Sequence, residues 1–294
     1  MVEKISGEKS RLFVAYKPPY ISSNRFLGTL KRKYQVKKAG FSGILDPFAE
    51  GVLVVAFGRY TRLFQFLAKT PKVYTATILL GGVSPTLDVE QVVEIKPTPS
   101  FSLSQIERVL EGFKGEYFQR PPIYSAKKVG GIPSYRLAIG GKKVSLSPVK
   151  VKIFNLKLLH YTHPFLTIRA EVGEGCYIRS LGRDIAEKLG TTAFLTSLKR
   201  EREGKFYFEC EKSLNPLDYL SLPKNRFLGE WQQVELGKPI SPSQLVNPTP
   251  GRYYITNGEL FSIVEIKGTK GGNRATEGGI GLKVSYLLNR IPLK

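Results

Sequence analysis

Cysteine and histidine are almost missing from this chain: Cys176, Cys210, His160 and His163 are the only four in 294 residues. Two cysteines exclude a disulfide framework and fit a reducing, cytoplasmic setting. So few imidazoles and thiols, so far apart, also exclude a zinc site of the usual four-ligand kind. Acidic residues are scarce as well, with 24 Asp and Glu against 45 Lys and Arg, and the resulting +21 points to a polyanionic partner. Long apolar runs are lacking too. Stretches such as Val52 to Phe57 fall far below the roughly 20 residues that span a bilayer, so no membrane span is expected. The first residues mix Glu3, Lys4, Glu8 and Lys9 with no apolar stretch, so no secretory signal is expected either. Any chemistry on this chain falls to carboxylates, tyrosines and cationic side chains.

What is present is enough for a core. Hydrophobic residues make up 41% of the chain and charged residues 23%, which excludes intrinsic disorder and suits one large domain or two. The charge is uneven: residues 227–294 hold eight Lys and Arg against five Asp and Glu, leaving +18 of the +21 to residues 1–226. Composition changes near the same place, at Leu222-Pro223-Lys224-Asn225, so the boundary is set at residue 226.

Periodicity gives an outline of the elements. Strands are expected at Leu12 to Tyr16, Val52 to Phe57, Val73 to Leu80 and Val92 to Ile95, and a long hairpin at Val149 to Leu159 and Phe165 to Val172. One helix opens at Ser22 or Ser23 with Phe26, Leu27, Leu30 and Tyr34 on one face. Others are expected over Thr61 to Ala68, after the Ser102/Gln105 capping box as far as Gly115, and from Ile178 to Leu189. The order gives an α+β fold, a mixed and mostly antiparallel sheet flanked by helices. The tail, with strands at Tyr253 to Ile255, Leu260 to Ile266 and Ile280 to Tyr286 between Gly-rich turns, reads as a small all-β barrel.

One loop stands out. Asp46 lies between Gly40, Gly43 and Gly51, and Pro47 keeps it out of the helical region. By spacing alone an Asp-Pro starts a turn. A carboxylate between Ile44, Leu45 and Phe48, however, is costly to desolvate unless a cation lies near.

Several motifs, in order from about residue 11 to 200, carry a resemblance. They are Lys17-Pro18, Gly43-Ile-Leu-Asp46-Pro47, Tyr74 after Lys72, the run Pro122-Ile-Tyr-Ser-Ala-Lys-Lys128 and Gly175-Cys-Tyr177-Ile-Arg179-Ser180. Together they resemble the TruB family of tRNA pseudouridine synthases, and the tail resembles a PUA domain, an RNA-binding β-barrel. The resemblance implies a stand-alone enzyme that converts uridine 55 in the T-loop of tRNA to pseudouridine and works as a monomer without a guide RNA. It implies Asp46 as nucleophile or base, Arg179 as its ion-pair partner, Tyr74 as the residue stacking on the flipped base, and Tyr177 and Leu198 as pocket lining. Such an isomerisation has no redox change and no net gain of atoms, so no cofactor is needed. An Arg at salt-bridge distance keeps the carboxylate ionised, and an aromatic ring can hold an extruded base.

The RNA grip is expected from Lys17, Lys127, Lys128, Arg136, Lys142 and Lys143, interleaved with Tyr124 and Tyr135. The run Tyr124 to Lys143 resembles the insertion by which stand-alone members clasp the T-arm. Where the family commonly has His, this chain has Phe41, which can stack but cannot donate a hydrogen bond. Tyr20, Pro85 and Ile139 also depart from the family pattern. Two other readings keep the charge but change the role: a non-catalytic RNA-binding protein, and a guide-dependent enzyme.

Overall fold

Apolar runs and alternating strands condense into one large sheet. The structure, a computed structural model, describes residues 10–269 and 281–293, so the expectations for residues 1–9 and for Ile280 lie outside the described residues. The strands of the first part are β1 (Arg11–Lys17), β2 (Ala39–Ser42), β3 (Glu50–Phe57), β4 (Lys72–Leu80), the short β5 (Gly82–Val83) and β6 (Glu94–Ile95), and β7 (Gly115–Gln119). They continue with β8 (Lys128–Val129), β9 (Ile132–Pro133), β10 (Val149–Thr162), β11 (Phe165–Val172) and β12 (Ala193–Glu203). Eight of them form a sheet in the order β1-β3-β12-β4-β11-β10-β7, with β2 also paired to β3. Only the β3–β12 pairing is parallel, so the sheet is mixed and mostly antiparallel, as expected.

The helices are α1 (Ser23–Lys33), α2 (Leu103–Glu111), α3 (Ser134–Ile139) and α4 (Ile178–Lys188). Ser22 caps α1 by accepting from the Arg25 amide, and Ser102 and Gln105 cap α2 reciprocally. The latter helix ends at Gly112, before the expected Gly115, which instead opens β7 with φ of 96°. On one face of the sheet, Ile106 and Leu110 of α2 and Leu181 and Ile185 of α4 pack on Ala76, Ile78, Leu166 and Ile168. At the other end β1 and β3 are covered on both faces, which is why Val52 to Phe57 reads as an unbroken apolar run. Phe13, Leu53, Val55 and Phe57 meet Leu30 of α1, and the alternate residues Leu12, Val14 and Val54 join a separate cluster.

Other expectations change too, and the strand expected at Val92 to Ile95 shrinks to Glu94–Ile95. The helix at Thr61 to Ala68 is a 3-10 helix, Gly58–Phe66, in which Tyr60, Leu63 and Phe66 are buried. A spacing of three aligns these side chains on one face only when there are three residues per turn. The strand β12 was not expected at all. The tail forms an antiparallel sheet of β13 (Gly251–Thr256), β14 (Leu260–Thr269) and β15 (Gly281–Pro292), and the described residues do not close into the expected barrel.

The register shift at Ile263/Val264 divides the work of β14. Val264 and Ile266 pack on Val234 of α5 (Trp231–Glu235), whereas Phe261 and Ile263 join Leu12, Val14 and Val54 from the first part of the chain. Phe261 and Ile263 are therefore buried in a cluster shared with the first part of the chain, so the small sheet need not curl on itself to bury them. Residues from both sides of position 226 thus share one apolar cluster, and the Tyr60 hydroxyl donates to the Pro292 carbonyl across the same seam at 2.6 Å. Among the described residues no helix is long and apolar enough to cross a membrane.

Candidate active site

The loop that follows β2 is fastened at several points. Ser23 Oγ, at the start of α1, accepts from the Leu45 amide at 3.0 Å and donates to the Leu45 carbonyl at 2.9 Å. Leu45, Phe48 and Ala49 are buried in the core, and the Ala49 amide closes a turn on the Asp46 carbonyl. Gly51, at φ 111°, lies so close to β12 that a Cβ would meet the Arg200 carbonyl at 2.2 Å, so only glycine fits there. Leu45, Phe48 and Ala49 thus anchor the loop and leave the carboxylate presented, whereas Ile44 is exposed.

Arg179 meets that carboxylate in a forked pair, Nε to Oδ2 and Nη2 to Oδ1, both at 2.9 Å. It is the second residue of α4, where the helix dipole disfavours a cation. Two carboxylates offset this: Asp46, and the buried Asp88, whose Oδ2 is 3.4 Å from Arg179 Nη1. The remaining guanidinium hydrogens go to the Thr86 carbonyl at 2.6 Å and the Tyr124 carbonyl at 2.9 Å. Asp88 is in turn held by the Thr86 hydroxyl at 2.6 Å and the Glu90 amide at 3.0 Å. Burial raises the Asp46 carboxyl above its ordinary range, Arg179 pulls it back down, Asp88 raises it further and Lys17 opposes that rise.

A cavity of about 280 Å³ opens over this pair. Its lining includes Asp46, Arg179, Tyr74, Tyr177 and Leu198, five of the residues expected at the site, now drawn together from the loop, β4, α4 and β12. Tyr74 is 8% exposed, and burial raises its hydroxyl pKa. The Cys176 thiol, also in the lining, is pushed up to about 12 by burial, which favours its protonated form. Tyr177 precedes α4 without a side-chain cap of its own. The fully buried Gln119 instead holds the main chain of Tyr177 itself, accepting from its amide at 2.8 Å and donating to its carbonyl at 3.1 Å.

Two expected contacts are corrected. Lys17 does not reach solvent: it is fully buried, with Nζ donating to the carbonyls of Pro18, Ile21 and Pro47 at 2.9, 2.6 and 3.1 Å. Burial lowers its pKa to about 8, with Asp46 acting against the fall. It ties the Asp46 loop to the end of β1 and is not part of an RNA-facing surface. Phe41 does not line the cavity; it lies on β2 opposite Val55 and packs against the cluster under α1. Lys128 and Tyr135 are exposed on the β8–β9 hairpin and α3, outside the cavity, while Ser125 and Ala126 at the root of that insertion form part of its wall.

Residues that sequence reasoning passed over complete the site. Lys72 and Tyr74 alternate on the same face of β4, and both line the cavity. Directly across on β12 stand Glu203 and Arg200, both buried. The period of two around Tyr74 could have pointed to Lys72; nothing in the sequence pointed to Glu203.

Comparisons with known proteins give the family. Residues 31–178 match the model of the TruB family pseudouridylate synthase, N-terminal domain. The chain is 46% identical over 283 residues to tRNA pseudouridine synthase B of Sulfurovum sp. strain NBC37-1, covering 96% of this chain and 98% of that one. It is 45% identical over 282 residues to the protein of the same name from Campylobacter jejuni subsp. jejuni strain 81-176, again over 96% of this chain and 98% of that one. In fold it is similar to a chain in the crystal structure of a Cbf5-Nop10-Gar1 complex, with a TM-score of 0.65, 22% identity and coverage of 96% of this chain and 85% of that one. Near-complete alignment with relatives at this identity, and a family match that reaches from α1 to the start of α4, place the chain in the TruB family of pseudouridine synthases.

Proposed function

We propose that this protein converts uridine 55 in the T-loop of tRNA to pseudouridine, as a stand-alone, cytoplasmic, monomeric enzyme without metal or cofactor. The observation that carries the reading is the forked Asp46–Arg179 pair at the floor of a cavity whose wall holds Tyr74. The names of the curated relatives, tRNA pseudouridine synthase B, support the substrate class.

The target atoms lie inside a stacked loop, so the nucleotide is extruded into the cavity, where the Tyr74 ring holds the base. Asp46 then acts on the sugar, either bonding to C1′ as the N1–C1′ bond breaks or removing a sugar proton. Arg179 keeps it ionised and aimed. The freed base turns until C5 faces C1′, and the C5–C1′ bond forms as the Asp46–C1′ bond breaks or, in the other route, as Asp46 returns the sugar proton; C5 then gives up its proton and N1 gains one. Nothing is oxidised or reduced, and the product is an isomer of the substrate.

The surplus of +21 supplies attraction to RNA, with the insertion from Tyr124 to Lys143 as the clasp on the T-arm and residues 227–294 as a PUA-like second contact. A purely RNA-binding role is disfavoured because a carboxylate facing phosphate-rich RNA repels it. A guide-dependent role is disfavoured by the near-complete overlap with relatives named as tRNA enzymes.

The test is to incubate the purified protein alone with unmodified tRNA transcript and to map pseudouridine by chemical labelling. One modified site, in the T-loop, is expected. No modification, or modification only after another RNA is added, would overturn the reading.

A further inference from the structure

Beneath the Asp46 loop lies a second set of buried charges that the reaction as described does not use. Arg200 is 1% exposed and is occupied by main-chain oxygens, donating to the Val52 carbonyl at 2.8 Å and the Gly43 carbonyl at 3.0 Å. Glu203 is fully buried; its Oε1 accepts from Ser42 Oγ at 2.7 Å, and its Oε2 lies 3.6 Å from Arg200 Nη2 with no hydrogen-bond partner. Lys72 Nζ is 3.6 Å from Glu203 Oε1, an ion contact longer than a hydrogen bond.

All three groups converge on Gly43. A Cβ there would stand 2.9 Å from Lys72 Nζ, 3.1 Å from Arg200 Nη1 and 3.3 Å from Glu203 Oε1, and the backbone is left-handed at φ 64°. One carboxylate thus serves two cations, and one positive charge is in excess. Arg200 is walled in. Lys72 is the member that reaches the cavity, with its side chain 17% exposed and on the same strand face as Tyr74.

We propose that Lys72 is a catalytic residue of this site, with its ammonium stabilising the uracil ring once the ring is detached from the sugar. The inference rests on the pseudouridine synthase reading above. When the N1–C1′ bond breaks, its electron pair leaves with the base, and the charge spreads over N1, O2 and O4. C1′ is meanwhile bonded to Asp46, or its sugar has given up a proton to Asp46. A cation fixed in the cavity wall stabilises that anion in a setting where water is scarce, and it need not move as the charge develops. When C5 bonds to C1′, with the Asp46–C1′ bond broken or the sugar proton returned, and the C5 proton is lost and N1 protonated, the ring is neutral and the interaction weakens. Arg179 is unavailable for this role because Asp46, Asp88 and two carbonyls use its donors. Glu203 is the positioning residue: it holds Lys72 across the strand pair at the register Glu203↔Lys72.

The experiment is single-turnover kinetics on a T-arm hairpin at saturating enzyme, with hairpin affinity measured across a salt series. Wild-type turnover of the hairpin is the control; if it fails, the parent reading fails, not this one. Lys72→Met is expected to slow the chemical step by about 100- to 1000-fold, the loss typical of removing one charge-stabilising donor. Affinity and its salt slope should stay nearly unchanged, and Lys72→Arg should recover at least a tenth of the wild-type rate.

Because Lys72→Met leaves Glu203 with one cation fewer, the double variant Lys72→Met, Glu203→Gln separates chemistry from packing. It should regain thermal stability yet remain as slow as the single variant. Recovery of the rate in the double variant would show that Lys72 only neutralises Glu203 and would overturn the proposal. So would a weaker salt slope with an unchanged rate, which would place Lys72 on a phosphate.

Discussion

The Asp46 end of the sheet and the seam with the tail are both buried, yet they are built from opposite materials. At the seam, Leu12, Val14, Val54, Phe261 and Ile263 meet as apolar side chains. Such contacts stabilise in proportion to area and are indifferent to small rotations. Around Asp46, by contrast, Leu45, Phe48 and Ala49 bury apolar surface too, but ion pairs and hydrogen bonds to main-chain oxygens, from Lys17, Arg179 and Arg200, fix the position of the carboxylate. These bonds contribute less net stability each, but they fix direction. The difference teaches that stability and aim are assigned to separate places, so substitutions in the two should separate stability from rate.

Asp46→Asn should show the largest effect on rate. Single-turnover isomerisation of a T-arm hairpin is expected to fall at least a thousandfold while RNA affinity is kept or slightly improved, since a negative charge is removed. More than about a thousandth of wild-type activity would take the nucleophile or base role away from Asp46. Phe261→Ala should behave the opposite way. Truncating a fully buried ring at the seam is expected to cost about 3–5 kcal/mol in denaturant unfolding and leave the rate per folded molecule within about twofold. A large drop in that rate would mean that the seam also aims the loop.

The pH profile sharpens the comparison further. Burial raises the Asp46 carboxyl, so its charged form appears only at higher pH than for a free Asp. The single-turnover rate should therefore climb as pH rises through a midpoint above the usual value of about 4, then level off. An acid limb at or below that value would contradict the raised pKa. The smallest effect is expected at Phe41, which packs under α1 and outside the cavity. Phe41→Ala should lose about 1–2 kcal/mol of stability, with the saturating rate kept within about threefold. A hundredfold loss of rate would instead put the ring against the reacting base.

The apolar scaffold was legible because periodicity and caps are local. Ser102 and Gln105 announced α2, and Val149 to Val172 announced the β10–β11 hairpin. The loop carboxylate and its Arg were legible through the family resemblance, and their meeting across 133 residues is a tertiary fact. The charged half of β12 was not legible. Lys199-Arg-Glu-Arg-Glu203 looks solvated, and only the carbonyls of Val52 and Gly43 and the hydroxyl of Ser42, brought in from elsewhere, make it possible to bury Arg200 and Glu203. Lys17 misled for the same reason, because a lysine is seldom buried unless carbonyls are waiting for it. The tail misled because its strands were visible but the partner covering β14 was not.

The bond from Arg179 to the carbonyl of Tyr124 joins the root of the insertion proposed to clasp RNA to the side chain paired with Asp46. Its acceptor belongs to the main chain, and every amino acid carries that oxygen. A scan of side chains through the insertion would therefore pass over position 124 without registering this bond. Only a change to the backbone, such as an inserted residue or an ester in place of the 124–125 amide, would expose it. Under the proposed function, a pull on the insertion by bound RNA would reach the Asp46–Arg179 pair through an atom that no side-chain substitution removes.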